Sequence, residues 1–444
     1  MRIPEKPPSG AILGQNTEKM MEIFTAYNEN NEKSEEIRNI VRRYNEDEYI
    51  HWDVLKRKKL PHDPNIMWWF LRFLRGGKYR SIKIGKTDLS YIILDKFQKE
   101  LHIIDKSSPS SFDSLFGTSP REGSKHHYLI NSLMEEAIAS SQLEGAATTR
   151  QVAKKFLREG KKPKNNSEKM ILNNFRTISR LKAIKDQPLT KDLILEIHRE
   201  ICSGTLDEES DELHFRTTND IVVQDKKDYT PIYYPPDFTE IPSMLDSLCD
   251  FANKQDRFIH PIIKAIILHF LIGFIHPFND GNGRTARALF YWYALKNNYD
   301  LFEYLSISRI FIHSPTQYTM AYLYTETDNN DLTYFIDFNI EIISKAMDDL
   351  RKYIENEAFE EKEAFRIFKE TPGLTVRQAE IFMDFIKNSM NHYTIGEIAG
   401  KYALSIPTAR NDLLALEEKG KIKKFRDGKK FVFMLPNEPG DNPN

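Results

Sequence analysis

From His276 to Arg287 the chain reads His-Pro-Phe-Asn-Asp-Gly-Asn-Gly-Arg-Thr-Ala-Arg. This stretch holds an imidazole, a carboxylate, two glycines around an asparagine, and two arginines, and each type has a chemical use. Gly281 and Gly283 allow positive φ and lack Cβ atoms, so backbone N–H groups can approach an anion closely. A helix that starts near Arg284 presents its N-terminal N–H groups and dipole to phosphate. Arg284 and Arg287, three residues apart, fall on neighbouring rows of its first turn and form a two-pronged clamp for a polyphosphate. Asp280 is an oxygen donor suited to Mg²⁺, which takes one or two carboxylates plus phosphate oxygens. His276 titrates near neutrality and can accept a proton from an attacking hydroxyl. The set points to phosphate-transfer chemistry on a nucleotide.

These residues need rigid neighbours. Ile262–Ile275 is apolar on nearly every side, and its length favours a buried helix over a strand. Thr285–Lys296 is again helical in pattern and largely apolar. A polar loop between two buried helices is costly inside a core, so it is expected to face a cleft.

The loop resembles the signature of the Fic family, His-Pro-Phe-x-Asp/Glu-Gly-Asn-Gly-Arg-x-x-Arg, and matches every fixed position. The resemblance implies a protein adenylyltransferase that moves AMP from ATP to a Ser, Thr or Tyr hydroxyl of a target protein or of itself. Gly281 stands where the nucleotidyl-transferring members differ from the Doc-like kinases. By the same resemblance His276 is the base, Phe278 points into the core and fixes the loop, and Asp280 holds Mg²⁺. Asn282 and the N–H groups around Gly281 and Gly283 bind the α-phosphate, and Arg284 and Arg287 bind the β- and γ-phosphates. Against this stands a plain helix–loop–helix with an incidental His and Arg pair.

Ser124–Gly145 is the second informative stretch. Leu129, Ile130, Leu133, Met134, Ala137, Ile138 and Ser141 repeat at helical spacing. Gly145 is the expected cap, which leaves Glu144 at a helix end where the dipole disfavours negative charge. Water or a cation must compensate it; a solvated surface carboxylate is the alternative. Ser140 with Glu144-Gly145 resembles the inhibitory motif of self-restrained Fic proteins. That implies a pair between Glu144 and Arg287 that blocks the productive γ-phosphate pose.

Composition narrows the class. With 444 residues, 40% hydrophobic and 29% charged, the chain can bury two or three full cores. A net charge of −2 argues against wholesale binding to nucleic acid or membrane. Two cysteines, Cys202 and Cys249, cannot build a disulfide framework or a four-ligand zinc site and are expected as buried thiols. The start lacks a signal-like pattern, and the longest apolar run carries Lys264, His269 and His276, so a cytoplasmic protein with no membrane span is expected.

The expected fold is mainly α: an all-α Fic core with a small β-hairpin flap, an N-terminal helical module and a C-terminal winged helix. The boundaries are 1–106 for the N-terminal module, 107–123 for a Ser/Pro-rich linker, and 124–347 for the catalytic domain with its inhibitory helix at 124–145. A charged connector helix covers 348–370, the winged helix 371–436, and a tail 437–444. In the N-terminal module, Met67–Leu74 reads as a buried helix among Trp52, Trp68 and Trp69. Ile221–Val223 and Tyr229–Tyr234 read as hairpin strands about a turn at Asp225–Asp228. Tyr229, Thr230 and Tyr233 are the candidates to hold an extended target segment, with a purely structural hairpin as the alternative. Of Tyr318, Tyr322, Tyr324 and Tyr334, most are expected in the core and one or two at an adenine pocket. His260 is expected to cap or pack.

In the last unit Ser405 reads as the cap of a third helix, and strands flank Asp427-Gly428. Arg410 and Asn411 on that helix, with Lys424 and Arg426 on the wing, make DNA contact one reading and protein docking another. Two rival functions stay open: removal of AMP by the same site, and a DNA-bound regulator whose core only senses nucleotide. The target protein, the preference among nucleotides and the oligomeric state, a homodimer included, are not legible.

Overall fold

The computed structural model describes residues 2–10, 16–29, 32–107, 122–206, 208–225, 227–254, 256–387, 392–402, 404–427 and 430–436. The expected tail and almost all of the expected linker lie outside these residues, as do Gly428 of the wing turn and Lys429. The chain is mainly helical with a few short strands, as expected. Described residues up to Leu350 form one compact unit and those from Arg351 onward a second.

In the first unit, α1 (Thr17–Asn28), α2 (Glu32–Arg42) and α3 (Pro64–Arg75) pack around Trp52 and Trp68, both buried. The tryptophans are therefore core, and Trp69 is half-buried beside them. A hairpin follows, β1 (Arg80–Ile84) and β2 (Thr87–Tyr91), then α4 (Asp95–Lys106). Ser90 of β2 exchanges backbone hydrogen bonds with residues 330 and 332 (3.2 and 2.7 Å). Close by, Tyr79 donates to Asp331 (3.0 Å) and Arg72 lies 2.5 Å from buried Asp328, so the N-terminal residues share a polar seam with the later helices. No described helix is long and apolar enough to cross a membrane.

The rest of this unit is a set of helices, one of them buried along almost its whole length. These are α5 (Glu122–Leu143), α6 (Arg150–Glu159), α7 (Asn166–Arg180), α8 (Lys191–Cys202), α9 (Ile241–Asn253), α10 (Pro261–Ile275), α11 (Asn282–Lys296), α12 (Pro315–Thr327) and α13 (Thr333–Glu370). α10 is that helix: apart from Lys264 and His269 it is apolar, and it is buried on nearly every side, as such a composition requires. Pro261 occupies its first turn, and His260 Nδ1 accepts from the Ile262 N–H (3.2 Å), so His260 is a cap. α11 begins at Asn282, two residues before the start expected near Arg284, which brings Gly283 into its first turn. α13 runs without a break from the core through the stretch expected as a separate connector. Between α8 and α9 lies a minimal hairpin, β3 (Val223–Gln224) and β4 (Pro231–Tyr233). It is shorter than expected because Pro231 lacks an N–H and the register shifts at Val223/Gln224.

The second unit has α14 (Val376–Lys387), β5 (Tyr393–Thr394), α15 (Ile395–Lys401), α16 (Ile406–Glu418), β6 (Lys423–Asp427) and β7 (Lys430–Met434). Ser405 accepts from the Thr408 N–H (3.2 Å), the expected cap of α16. The sheet order is β5-β7-β6, so the hairpin gains a third, two-residue strand that the sequence pattern missed. Arg410, Asn411, Lys424 and Arg426 are all exposed, and Lys424 is paired with Glu417 (3.2 Å).

Candidate active site

His276 ends α10 in the left-handed region (φ 50°, ψ 58°), a place usually given to glycine. A non-glycine residue there costs on the order of 1–2 kcal/mol, so something must hold it. Its N–H is donated to the Ile272 carbonyl (3.0 Å), and its own carbonyl accepts from Arg216 Nε (2.8 Å). The buried Arg216 side chain also donates to Thr218 and Pro236 carbonyls, and its N–H to the Pro277 carbonyl (2.8 Å). Arg216 thus pins the loop to the arms of the hairpin. The sequence places Phe215-Arg216 with the hairpin segment and marks no loop-holding role for the arginine.

The imidazole is half-buried, with Nδ1 3.2 Å from the Gly273 carbonyl. That contact makes Nδ1 the protonated nitrogen and leaves Nε2 as the acceptor. Burial lowers the His276 pKa below 6.5, against the opposing pull of the Gly273 carbonyl and Glu144. The ring is therefore neutral and basic at neutral pH.

Phe278 is fully buried and stacks on His198 of α8, ring centroids 3.6 Å apart and planes within 4°. His198 Nε2 lies 3.0 Å from the Asp280 carbonyl, so α8 braces the loop at two points. Burial depresses the His198 pKa to about 4, which fixes a neutral ring in this role. Asn282 folds its carboxamide back on the loop: Oδ1 accepts from the Phe278 N–H (3.0 Å) and Nδ2 donates to the Phe278 carbonyl (2.7 Å). These two bonds close the loop on Phe278 and leave the second Nδ2 hydrogen outside them.

Gly281 (φ 79°) lies so close to α8 that a Cβ would collide with the Cys202 sulfur. Gly281→Ala therefore meets both a backbone and a packing penalty. It should lower stability by about 1–3 kcal/mol, read as a lower denaturant midpoint at unchanged slope.

The two arginines diverge instead of forming one clamp. Arg284, buried, reaches the Ile201 carbonyl (3.3 Å) and Asp280 (3.4 Å). Arg287, also buried, donates from Nε to Ser140 Oγ (2.8 Å), and from one terminal nitrogen to the Ser140 carbonyl (2.9 Å) and Glu144 Oε1 (2.8 Å). Burial works against its charge, yet Glu144 and Tyr318 hold its pKa above the ordinary arginine value. The Glu144 carboxylate stands against Gly283, where any Cβ would overlap it. Its position over the first turn of α11 answers the charge problem of its own helix end. α5 is anchored for this by buried Glu136, which accepts from Tyr291 Oη (2.9 Å), Ser306 Oγ (3.0 Å) and the Ser308 N–H (2.9 Å).

A cleft of about 520 Å³ opens here, lined by His276, Gly283, Arg287, Glu144, Tyr233 and α12 residues from Pro315 to Glu326. Tyr318 and Tyr322 stand in its wall, whereas Tyr324 and Tyr334 pack elsewhere. Tyr233 donates its hydroxyl to the Phe274 carbonyl (2.8 Å), so it is a wall of the cleft. Tyr229 and Thr230 are exposed near the hairpin turn and do not line it. The lining also leaves out Asp280, Gly281, Asn282 and Arg284; the Asp280 carboxylate faces solvent beside the loop.

Residues 188–294 match the model of the Fic/DOC family. The chain is 27% identical over 195 residues to the protein adenylyltransferase Fic of Nematostella vectensis, covering 43% of each chain. It is 35% identical over 99 residues to the protein adenylyltransferase fic-1 of Caenorhabditis elegans, 22% of this chain and 18% of that one. The chain thus spans less than half of these relatives. Among solved structures, a Fic family protein from Desulfovibrio desulfuricans is similar at TM-score 0.48 and 18% identity, over 78% of this chain and 96% of that one. A further one, Fic-1 (residues 134–508) from C. elegans, is similar at TM-score 0.49 and 15% identity, over 73% of this chain and 84% of that one. The uninterrupted loop signature and the matched span, which includes both helices that flank it, together make residues 188–294 a Fic domain, and the chain a carrier of that Fic/DOC-family domain.

Proposed function

We propose that the chain transfers AMP from ATP to a Ser, Thr or Tyr hydroxyl of a target protein and of itself, and that Glu144 restrains this by pairing with Arg287. The observation that carries the reading is the Glu144 carboxylate at the N-terminus of α11, hydrogen-bonded to Arg287 and within one cleft with His276. A helix N-terminus beside a buried arginine is where an anion is favoured, and a side-chain anion of the protein occupies it. A triphosphate entering the cleft competes with Glu144 for the same donors.

In the proposed step the target hydroxyl oxygen forms a bond to the α-phosphorus, and the bond from that phosphorus to the oxygen of the leaving pyrophosphate breaks. The hydroxyl proton passes to His276 Nε2. First-turn N–H groups of α11, which have no partner within the helix, and Arg287 bear the phosphate charge, with Arg284 adding positive charge at the same helix end. Arg216 and His198 hold the loop in place for this.

Mg²⁺ fits the donor set. No group of three or more His, Cys, Asp or Glu among the described residues could hold a metal. A cation here needs phosphate oxygens beside a single carboxylate, which is the way Mg²⁺ binds. Asp280 would be that carboxylate, and the bound ion would neutralise phosphate charge. Because Asp280 is largely exposed and only loosely paired, Asp280→Ala should leave the fold intact within about 1 kcal/mol. Its expected effect is loss of most AMP transfer together with the Mg²⁺ dependence. Titration of Mg²⁺ in a labelled-ATP assay checks this, and an unchanged Mg²⁺ response would remove Asp280 from the role.

A further inference from the structure

We propose that Glu326 is the contact for the base end of the nucleotide, the acceptor of its exocyclic amine. The proposal rests on the nucleotide reading of the cleft given above. α12 forms one long wall of that cleft. Tyr318, on its first turn, lies beside Arg287 and Glu144 at the anion end. Glu326 is eight residues further on, about 12 Å along the helix axis, a separation suited to the sugar and base of a nucleotide whose phosphates sit on α11. The lining includes Ile232 and Tyr233 of β4 and Val223 of β3, with Leu323 on α12. The hairpin adds Gln224, Asp225 and Lys227 to the same lining, and a carboxyl set among the apolar residues suits a base and not a phosphate, since a carboxylate repels phosphate.

The Glu326 side chain lines this slot and makes no hydrogen bond or ion pair with any described residue. Two tyrosines close to it are already committed. Tyr233 donates to the Phe274 carbonyl, and the Tyr322 hydroxyl reaches the His269 carbonyl (3.4 Å). Burial alone pushes the Glu326 pKa well above the ordinary carboxyl range, with no cation offsetting it. A half-buried carboxyl with no partner in its own chain leaves its acceptors open to a ligand's donor. In either protonation state it keeps a carbonyl-type oxygen to accept an N–H bond. Adenine offers such a donor in its amino group.

The test uses the full chain carrying His276→Ala and Glu144→Gly, so that nucleotide binds without turnover, and measures binding by calorimetry with Mg²⁺ present. ATP is compared with purine riboside triphosphate, the same molecule without the amine. We expect ATP to bind about tenfold more tightly than the analogue. Glu326→Ala should bring the ratio to about one by weakening ATP alone, and Glu326→Gln, which keeps an acceptor oxygen, should restore it. A ratio near one in the parent, or a ratio unchanged by Glu326→Ala, overturns the assignment. If the parent binds neither compound, the nucleotide reading of the cleft falls, and this inference with it.

Discussion

On the proposed reading, His276→Ala should abolish AMP transfer while the protein stays folded. The side chain is half-buried at the mouth of the cleft, and its one internal contact is the 3.2 Å approach to the Gly273 carbonyl, so its removal costs little packing. The base it supplies is worth on the order of 10²–10⁴ in rate. The pH profile gives a second readout. Burial places the His276 pKa below 6.5, so the imidazole is already neutral, and able to accept a proton, under mildly acidic conditions. Transfer should therefore hold from neutrality down past pH 6.5 and fall only when the ring protonates at lower pH. Retained turnover in the alanine variant, or an acid limb above pH 6.5, would refute the assigned base.

Glu144→Gly should have the opposite effect and the second-largest size. Its carboxylate is bound to a buried guanidinium and covers the start of α11, so on the proposed reading ATP would have to displace it before its phosphates could use Arg287. Coupling of 1–3 kcal/mol between two such competing anions corresponds to roughly 5–150-fold. Transfer to target and to the chain itself should rise by that range. Glu144→Gln separates charge from shape: it keeps the bulk against Gly283 and loses the ion pair, so its activity should lie between glycine variant and parent. Equal activity of all three would sink the inhibitory role. Release of AMP from a pre-modified target by the parent, lost in Glu144→Gly, would instead show the site working in reverse.

Chemistry carried by contiguous residues was legible in the sequence. The His276–Arg287 loop, the buried rod before it and the Ser140/Glu144 pair are each set by local residue type and spacing, and the structure brings His276, Gly283, Arg287, Glu144 and Ser140 together. What escaped is what depends on contacts between distant segments. Arg216 lies 60 residues from the carbonyl that it holds, and His198 lies 82 residues from its partner; neither has a local pattern that marks it. The fold-back of the Asn282 carboxamide, which closes the turn on Phe278, likewise has no mark in a Gly-Asn-Gly triplet. The late start expected for α11 has the same origin, since glycine and asparagine score as turn residues wherever they stand. α13 continues past residue 347 because nothing in that charged stretch breaks a helix; composition changes there, but backbone preference does not.

The most direct test of nucleotidyl transfer is to ask which phosphate moves. The Glu144→Gly chain is incubated with Mg²⁺ and ATP labelled either at the α- or at the γ-phosphorus, and protein-bound label is counted. The account predicts label on protein from the α-position only, with pyrophosphate released and no label in the His276→Ala control. Label from the γ-position, or none from either, would contradict it.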